Sequence, residues 1–412
     1  MGRDQDVTER DQLEEMIREI ERDFPVRRAG GEDERRAQER LRDKLDAIGV
    51  ENRFQSFRWN ESLYATMALH FGISAIGTLL APSRPLLAAA LHLTAGVSYW
   101  ADSSRTGLLL RRLLPSKRSQ NLVATLPAKE ERKLRIVLLA HCDAAFTGWV
   151  FDPRVLKRAG GGRTGESQPY HARSMEMATD AVFASGLLAV VRAFLDIAGF
   201  GLFRAVELVL GIPALLVFAV NAQVVLKNQT VPGAADNLSG VAALFALLER
   251  WRATPLPDDV EIVFAFTGSE EAGTGGAHRL MQERRDEWSK EDTIVVGVDT
   301  VTNGDLRWFV EGEMSAVPVD PVIVGCLRET IASSPDFAAV RPYRIPVGAT
   351  DVMPFVSKGY KGVAIGCVDT DYGAPRHYHH PSDTADNLDF DQLVQSVDFI
   401  DEFVKVLIRS QR

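Results

Sequence analysis

Imidazole and carboxylate side chains occur close together at several places along this chain. Only eight histidines serve 412 residues, yet three of them lie in the stretch RHYHHPSDTADNLD at residues 376–389. Four further stretches carry such groups: "LLAHCDAAF" with His141 and Asp143, "GAADNLSG" with Asp236, "TGSEEAG" with Glu270 and Glu271, and "VVGVDTV" with Asp299. Imidazole with carboxylate is a ligand mixture that suits zinc, and the scarcity of thiolate favours a catalytic over a structural metal.

The elements that must position these side chains are typical of an α/β fold. Apolar runs that predict buried strands cover residues 120–126, 134–143, 260–268 and 292–301, and helical spacing covers residues 239–252 and 275–288. This alternation predicts a mainly parallel mixed sheet flanked by helices. Ligands of open α/β sheets bind outside the carboxyl ends of the strands. We therefore expect side chains that are distant in sequence to meet at this edge.

A site of this kind can hold two divalent ions. Five groups supply enough ligands for two ions if one carboxylate is shared: His141, Asp236, Glu271, Asp299 and His379. Two such ions can acidify a bridging water and stabilise an oxyanion. A remaining carboxylate without a metal would then act as the general base.

Composition and charge exclude several other classes of protein. Apolar residues make up 46% and charged residues 25% of the chain, which is globular composition. The net charge of −9 argues against a nucleic-acid partner. Three widely separated cysteines indicate a reducing compartment. The first residues lack an apolar run, so no secretory signal peptide is expected. The sequence predicts no particular oligomeric state.

Two hydrophobic blocks, residues 65–100 and 181–226, do not follow the α/β alternation. The segments 65–81, 85–100 and 208–226 are at or just below the length of about 20 apolar residues that a membrane-spanning helix needs. The segment before residue 208 carries Arg192 and Asp196, so it suits a membrane only if these two residues pair. Each block therefore predicts a hydrophobic helical hairpin.

These hairpins have two interpretations. They either lie in a bilayer, or they form a helical lid or dimerisation surface in water. Basic residues are concentrated next to the first block: Arg105, Arg111, Arg112, Lys117 and Arg118. Because positive charge near spans stays inside, this places the globular part in the cytoplasm. We expect a multi-pass protein of the cell membrane with a cytoplasmic catalytic domain; the alternative is a soluble cytoplasmic protein with a helical lid.

The motifs together resemble one family. The chain shows "HCD", "GAADNLSG", "SEEAG", "GVDTV" and "YHHPSDT" in that order, and it thereby resembles the co-catalytic di-zinc aminopeptidases. Bacterial leucyl aminopeptidases represent this family, and glutamate carboxypeptidase and glutaminyl cyclase are relatives. The resemblance implies a zinc-exopeptidase fold of the phosphorylase/hydrolase-like type. Residues 1–60, 117–180 and 228–412 would be the three parts of its catalytic domain, and residues 61–116 and 181–227 would be two insertions.

The resemblance also implies a role for each site residue. One zinc would be bound by His141 and Asp299, the other by Glu271 and His379, with Asp236 bridging both, Glu270 as general base and Asp143 orienting His141. The implied reaction is removal of N-terminal residues from peptide substrates by metal-hydroxide attack. Zinc is the expected metal, with Mn²⁺ or Co²⁺ as alternatives.

Other readings of the same residues remain open. The enzyme alternatives are a carboxypeptidase-type or glutaminyl-cyclase-type relative, and a further alternative is a non-catalytic binding protein on the same scaffold. In "GATDVMPFV", Asp351 matches the aspartate of the family's "SDHxxF" loop, whereas Val352 replaces its histidine. Cys142 is expected to be a buried core thiol, and His377 and His380 to be ordinary loop residues.

Overall fold

A mixed β-sheet forms the centre of the protein. The computed structural model describes residues 2–160, 174–195, 201–345 and 347–411. Eight strands lie in this described part: β1 (Asn52–Asn60), β2 (Ser116–Leu126), β3 (Leu134–His141), β4 (Val260–Thr267), β5 (Thr293–Val298), β6 (Asp305–Val310), β7 (Arg341–Arg344) and β8 (Lys361–Val368). They form one sheet in the order β1-β2-β4-β3-β5-β8-β6-β7.

The four central strands β4, β3, β5 and β8 are mutually parallel. Antiparallel pairs lie outside them, because β2 runs against β1 and β4, and β6 runs against β8. The predicted mainly parallel mixed sheet is therefore confirmed. The strand β3 is buried along its whole length, as its continuous apolar sequence predicts for a parallel strand covered on both faces.

Helices cover both faces of this sheet. The described helices are α1 (Gly2–Asp23), α2 (Glu32–Ala47), α3 (Leu63–Leu80), α4 (Pro85–Ser103), α5 (Pro153–Gly160), α6 (Ser174–Leu195), α7 (Gly201–Lys227), α8 (Ser239–Ala253), α9 (Gly275–Arg284), α10 (Pro321–Ser333), α11 (Met353–Val356) and α12 (Phe390–Ser410). One core layer contains side chains of α1, α2, α8, α10 and α12, and the other contains those of α9 and α11. Successive residues of β3 alternate between these layers, since Leu138 packs in the first and Val137 and Leu139 in the second.

The two hydrophobic blocks form one unit, although they are far apart in the sequence. The helix α3 packs against α4 and α7, and α6 packs against α4 and α7. We call the four helices α3, α4, α6 and α7 the inserted bundle. Histidines join its first two helices, because His70 Nε2 lies 2.8 Å from Ser98 Oγ and His92 Nδ1 lies 2.8 Å from Ser74 Oγ. The helix α6 of the second block covers Ser174–Leu195, a range that includes the boundary predicted at residue 181.

The arginine inside the second block pairs with a glutamate of α7. Arg192 Nη1 lies 2.8 Å from both carboxylate oxygens of Glu207, which is nearly buried on α7. Asp196, the partner expected from the sequence, lies outside the described residues. The pairing still joins the two helices of one hairpin, because α6 supplies the arginine and α7 the glutamate.

Three helices in the described chain are long and apolar enough to cross a membrane: Leu63–Leu80, Ser174–Leu195 and Phe203–Lys227. The segment 85–100, which the sequence also suggested, is not one of the three. Large apolar side chains are nevertheless exposed on all four helices of the inserted bundle, among them Leu79, Leu86, Leu187 and Val209. An exposed apolar surface of this kind is unusual for a protein surface in water.

Candidate metal centre

The carboxyl edge of the sheet brings the predicted ligands together. His141 is the last residue of β3, Glu270 and Glu271 follow β4, and Asp299 comes directly after β5. His379 lies in the loop that follows β8. Asp236 lies just before α8 and joins this cluster. Because β3, β4, β5 and β8 are parallel, their carboxyl ends lie at the same edge, as expected.

The side-chain distances define two groups of donors that share Asp236. His141 Nε2 lies 3.2 Å from Asp236 Oδ1 and 3.8 Å from Asp299 Oδ1. His379 Nε2 lies 3.3 Å from Asp236 Oδ2 and 3.4 Å from Glu271 Oε1. In each group the donor atoms lie within 4.8 Å of one another, and Asp236 is common to both groups. His141, Glu270 and Glu271 form a third group that meets the same distance. The two oxygens of Asp236 thus face different histidines, which is the arrangement that a bridging ligand requires.

The charge of the cluster fits two divalent cations. Four carboxylates, Asp236, Glu270, Glu271 and Asp299, share this site, and all but Asp299 are buried. In the described part of the chain, the basic groups that lie within 4 Å of these carboxylates are His141 and His379. A metal-binding histidine is neutral, so it would leave the four negative charges uncompensated. Buried charge needs a partner, and two divalent ions balance four carboxylates.

The proton affinities of these groups show how strongly they interact. Burial acts to lower the pKa of His379, but the neighbouring Glu271 and Asp236 outweigh it and raise this pKa to about 10. Burial acts to raise the pKa of Asp236, but contacts with His141 and His379 bring it below its usual range. For Glu270 burial dominates, and the pKa lies well above that of an exposed glutamate.

Asp143 holds the loop that carries the two glutamates. Its carboxylate oxygens accept the main-chain N–H groups of Glu270, at 2.9 Å, and Glu271, at 3.0 Å. The resemblance assigned this carboxylate to His141 Nδ1, but the structure places the main-chain carbonyl of Asp143 there, at 3.0 Å. The carboxylate lies farther from that nitrogen, at 3.8 Å. Asp143 therefore positions His141 through its backbone and Glu270 and Glu271 through its side chain.

Two polar side chains hold the turn that contains Asp236. Asp383 accepts the main-chain N–H groups of Ala235, at 2.7 Å, and Asp236, at 3.1 Å. Asn237 donates to the carbonyl of Val298, at 2.8 Å, and accepts the N–H of Thr300, at 3.1 Å. The Asn237 contacts tie this turn to the end of β5, next to Asp299. The sequence motif contained Asn237 without indicating this role.

Arg27 and Glu34 support the site from the N-terminal region, and the sequence analysis did not identify them. Arg27 is fully buried and donates to the carbonyls of Cys142, Phe24, Pro232 and Gly233 at 2.6–3.0 Å. Glu34 accepts the N–H of Ser269 at 2.7 Å, directly before Glu270. Their sequence neighbourhood, "PVRRAGGEDERR", is that of an exposed polar segment, so only the fold reveals that these charges are buried.

The remaining residues singled out from the sequence have simpler surroundings. Cys142 is buried in the core, as predicted. His377 and His380 each lie 2.7 Å from Ser382 Oγ and pack within their loop. Asp351 is buried and accepts a hydrogen bond from the hydroxyl of Thr267, the last residue of β4. Val352, which replaces the family's histidine, is buried in the core layer below the site.

Part of the chain is similar to a known family of peptidases. Residues 220–404 match the model of Peptidase family M28. The alkaline phosphatase isozyme conversion protein of Escherichia coli (strain K12) is 32% identical over 87 residues, which are 21% of this chain and 25% of that protein. The matching segment thus spans a quarter of that relative's length.

Solved structures share the fold at low sequence identity. An aminopeptidase from Aneurinibacillus sp. strain AM-1 superposes with a TM-score of 0.56 at 13% identity, covering 96% of this chain and 93% of that one. A zinc aminopeptidase from Bacillus subtilis gives 0.55 at 14% identity, with 96% and 94% covered. Fimbriiglobus ruber glutaminyl cyclase gives 0.54 at 13% identity, with 96% and 95% covered. The predicted resemblance is therefore confirmed: residues 220–404 are similar to Peptidase family M28, and the chain shares the fold of these solved structures.

Proposed function

We propose that this protein is a di-zinc exopeptidase, an aminopeptidase that removes N-terminal residues from peptides. The observation that carries the proposal is the pair of donor groups that share Asp236. His141 and Asp299 complete one group, and Glu271 and His379 complete the other. Zinc ions bound there would supply Lewis acidity to a water molecule and to the peptide carbonyl.

Glu270 is the proposed general base. Its Oε2 lies 3.9 Å from His141 Nε2, so it borders the donor groups and belongs to neither of the two groups that share Asp236. Burial raises the pKa of Glu270, which makes its carboxylate a stronger base. Glu270 would take a proton from the attacking water and deliver it to the nitrogen of the leaving amine. Asp143 holds the main chain of this residue in place.

The charge around the site favours a substrate amine over a substrate carboxylate. Asp351 and Glu311 are buried, and burial, aided by the nearby charge of Asp299, raises the pKa of each to about 7. Asp299 is the most exposed of the proposed ligands, with 19% of its side chain accessible. Asp299, together with the partly ionised Asp351 and Glu311, would attract a protonated N-terminal amine and repel a C-terminal carboxylate. The charge therefore supports aminopeptidase over carboxypeptidase activity.

Replacing Glu270 with Gln tests this assignment. Loss of a general base typically reduces turnover by about 10²–10⁴-fold, while the zinc content should stay unchanged. The measurements are hydrolysis of a panel of aminoacyl-nitroanilides and elemental analysis of the same samples. Glu249→Gln, on the exposed side of α8, is the matched control and should keep wild-type turnover. If Glu270→Gln retained most of its activity, Glu270 would not be the base.

The same experiment separates the alternatives. A glutaminyl-cyclase-type enzyme would act on a peptide with N-terminal glutamine, release ammonia and bind one zinc. A non-catalytic binding protein would turn over none of the substrates, so the wild-type protein and Glu270→Gln would show the same absence of turnover. We expect the wild-type protein to bind two zinc ions and to release free amino acids.

We also propose that the inserted bundle attaches the enzyme to the cell membrane as a multi-pass anchor, with the catalytic domain in the cytoplasm. The chain enters and leaves each hairpin at the catalytic domain, so both helices of a hairpin must insert together. Exposed apolar side chains on all four helices support this proposal. We expect the protein to sediment with membranes, to stay with them after an alkaline carbonate wash and to be released by detergent. A protein that stays soluble without detergent would indicate the helical lid instead.

A further inference from the structure

The inserted bundle reaches the metal centre through one tyrosine. Tyr64 is the second residue of α3, and its hydroxyl lies 2.7 Å from Nδ1 of His379. Both side chains are buried. His379 turns its other nitrogen, Nε2, toward Asp236 and Glu271. The imidazole therefore lies between the donor group on one side and the bundle on the other.

This contact determines which nitrogen of His379 is free to bind a metal. A neutral histidine that binds zinc through Nε2 carries its proton on Nδ1. That N–H needs an acceptor, and acceptors of this type fix the tautomer and the ring orientation of metal ligands. The Tyr64 oxygen is in position to accept it. The rings of Tyr378 and Phe151, with centroids 3.8 and 4.8 Å from that of His379, also pack against the imidazole.

The same hairpin also supports the other ligand of this group. Arg111, which follows α4, donates to the carbonyl of Ala272 at 2.5 Å, next to Glu271. Its guanidinium is held by both carboxylate oxygens of Asp102, on α4, at 2.7 and 2.9 Å. The first hairpin thus contacts His379 directly and Glu271 through the neighbouring peptide. These are the two ligands that the second donor group does not share with the first.

We propose that Tyr64 is a positioning residue for His379, so that the inserted bundle stabilises one of the two zinc-binding positions selectively. This inference rests on the proposed di-zinc function. The other position, with His141 and Asp299, is held by catalytic-domain contacts at Asp143 and Asn237. An insertion that serves only as an anchor would leave both positions unchanged when the Tyr64 hydroxyl is removed.

The test is Tyr64→Phe, which keeps the ring and removes the hydroxyl. The dissociation constants of both zinc ions are measured by competition with a chelator. We expect one of the two to weaken by about 10–100-fold, which is typical for loss of a partner of a ligand histidine, and the other to change little. Tyr360→Phe is the matched control. The buried Tyr360 hydroxyl donates to the carbonyl of Trp288 at 2.9 Å, and Tyr360 directly precedes β8, at the end of that strand away from the metal centre.

The possible outcomes are distinct. Two zinc ions bound with wild-type affinity by Tyr64→Phe would overturn the inference and leave the proposed function intact. Equal weakening of both would also overturn it, since this is what a general loss of structure produces; thermal unfolding in chelator measures that loss separately. A wild-type protein that binds fewer than two zinc ions would instead contradict the proposed function on which the inference depends.

Discussion

Glu311 illustrates how burial changes the charge of a single carboxyl group in this protein. It lies next to the end of β6, is buried, and accepts hydrogen bonds from the N–H and the hydroxyl of Thr350. Burial raises the pKa of Glu311 to about 7, although the hydrogen bonds from Thr350 act to lower it. At neutral pH this residue therefore titrates, whereas an exposed glutamate is fully ionised.

The raised pKa predicts a pH-dependent loss of stability. The folded protein holds the Glu311 proton more tightly than the unfolded chain, so this contribution is complete below about pH 4.5 and is lost as the pH rises through about 7. In metal-free protein, we expect Glu311→Gln to gain about 3 kcal/mol relative to wild type between pH 4.5 and 8. Chemical denaturation at several pH values measures this difference. A difference that does not change with pH would contradict the assigned pKa.

A second prediction for a single residue concerns Asp236 and the zinc content. Because its two oxygens face both histidines, Asp236→Ala should reduce the zinc content well below two ions per chain, whereas Glu270→Gln should not. Elemental analysis after gel filtration measures the ratio. A variant without Asp236 that retained two zinc ions would exclude a bridging role.

The supporting elements are joined by buried polar contacts rather than by apolar packing alone. Arg27 lies between α1 and α2 and connects the end of β3 to the turn before α8, through the carbonyls of Cys142 and Gly233. Each carbonyl that loses a buried donor costs about 1–3 kcal/mol. The position of His141 relative to Asp236 therefore depends on an arginine that binds no metal.

Replacing Arg27 tests this connection between elements. We expect Arg27→Met to lower the free energy of unfolding by about 3 kcal/mol or more and to weaken zinc binding. Arg28→Met is the control, since Arg28 is partly exposed and bonds the side chains of Thr230 and Asn228; its loss should cost about 1 kcal/mol or less. Urea unfolding with and without zinc gives both quantities. Equal effects of the two substitutions would show that Arg27 has no special role.

At the scale of the whole molecule, the inserted bundle contacts the residues of the candidate metal centre. The bundle exposes apolar side chains outward and places Tyr64 beside His379 at its base. The structure thus connects an exposed apolar surface with the candidate metal centre.

Charged substitutions on the bundle surface test the membrane proposal. Leu187 and Val209 are 65% and 62% exposed. In a bilayer, lysine at both positions would be costly, so Leu187→Lys with Val209→Lys should shift the protein from the membrane fraction to the soluble fraction. Val322→Lys, on the exposed side of α10, should not. If the double variant stayed with membranes and kept its yield, these faces would not contact lipid.

Much of the sheet and of the donor set follows from local sequence. The strands β3, β4 and β5 and the helices α8 and α9 occur where apolar periodicity predicts them, since a buried parallel strand needs a continuous apolar run. Strands β6, β7 and β8 were not predicted. Their positions depend on pairing partners that are distant in sequence, as in the antiparallel pair of β6 with β8.

By itself, the sequence determined the α/β alternation and the identity of the six side chains around the site, because motif spacing and side-chain chemistry are local properties. Only the tertiary structure decided which groups support those side chains. The pairing of Arg192 with Glu207, the burial of Arg27 and the contact of Tyr64 with His379 all join segments that no local pattern connects. A buried polar group must form hydrogen bonds with the few polar groups that lie near it in the folded core. Three-dimensional packing determines which groups these are.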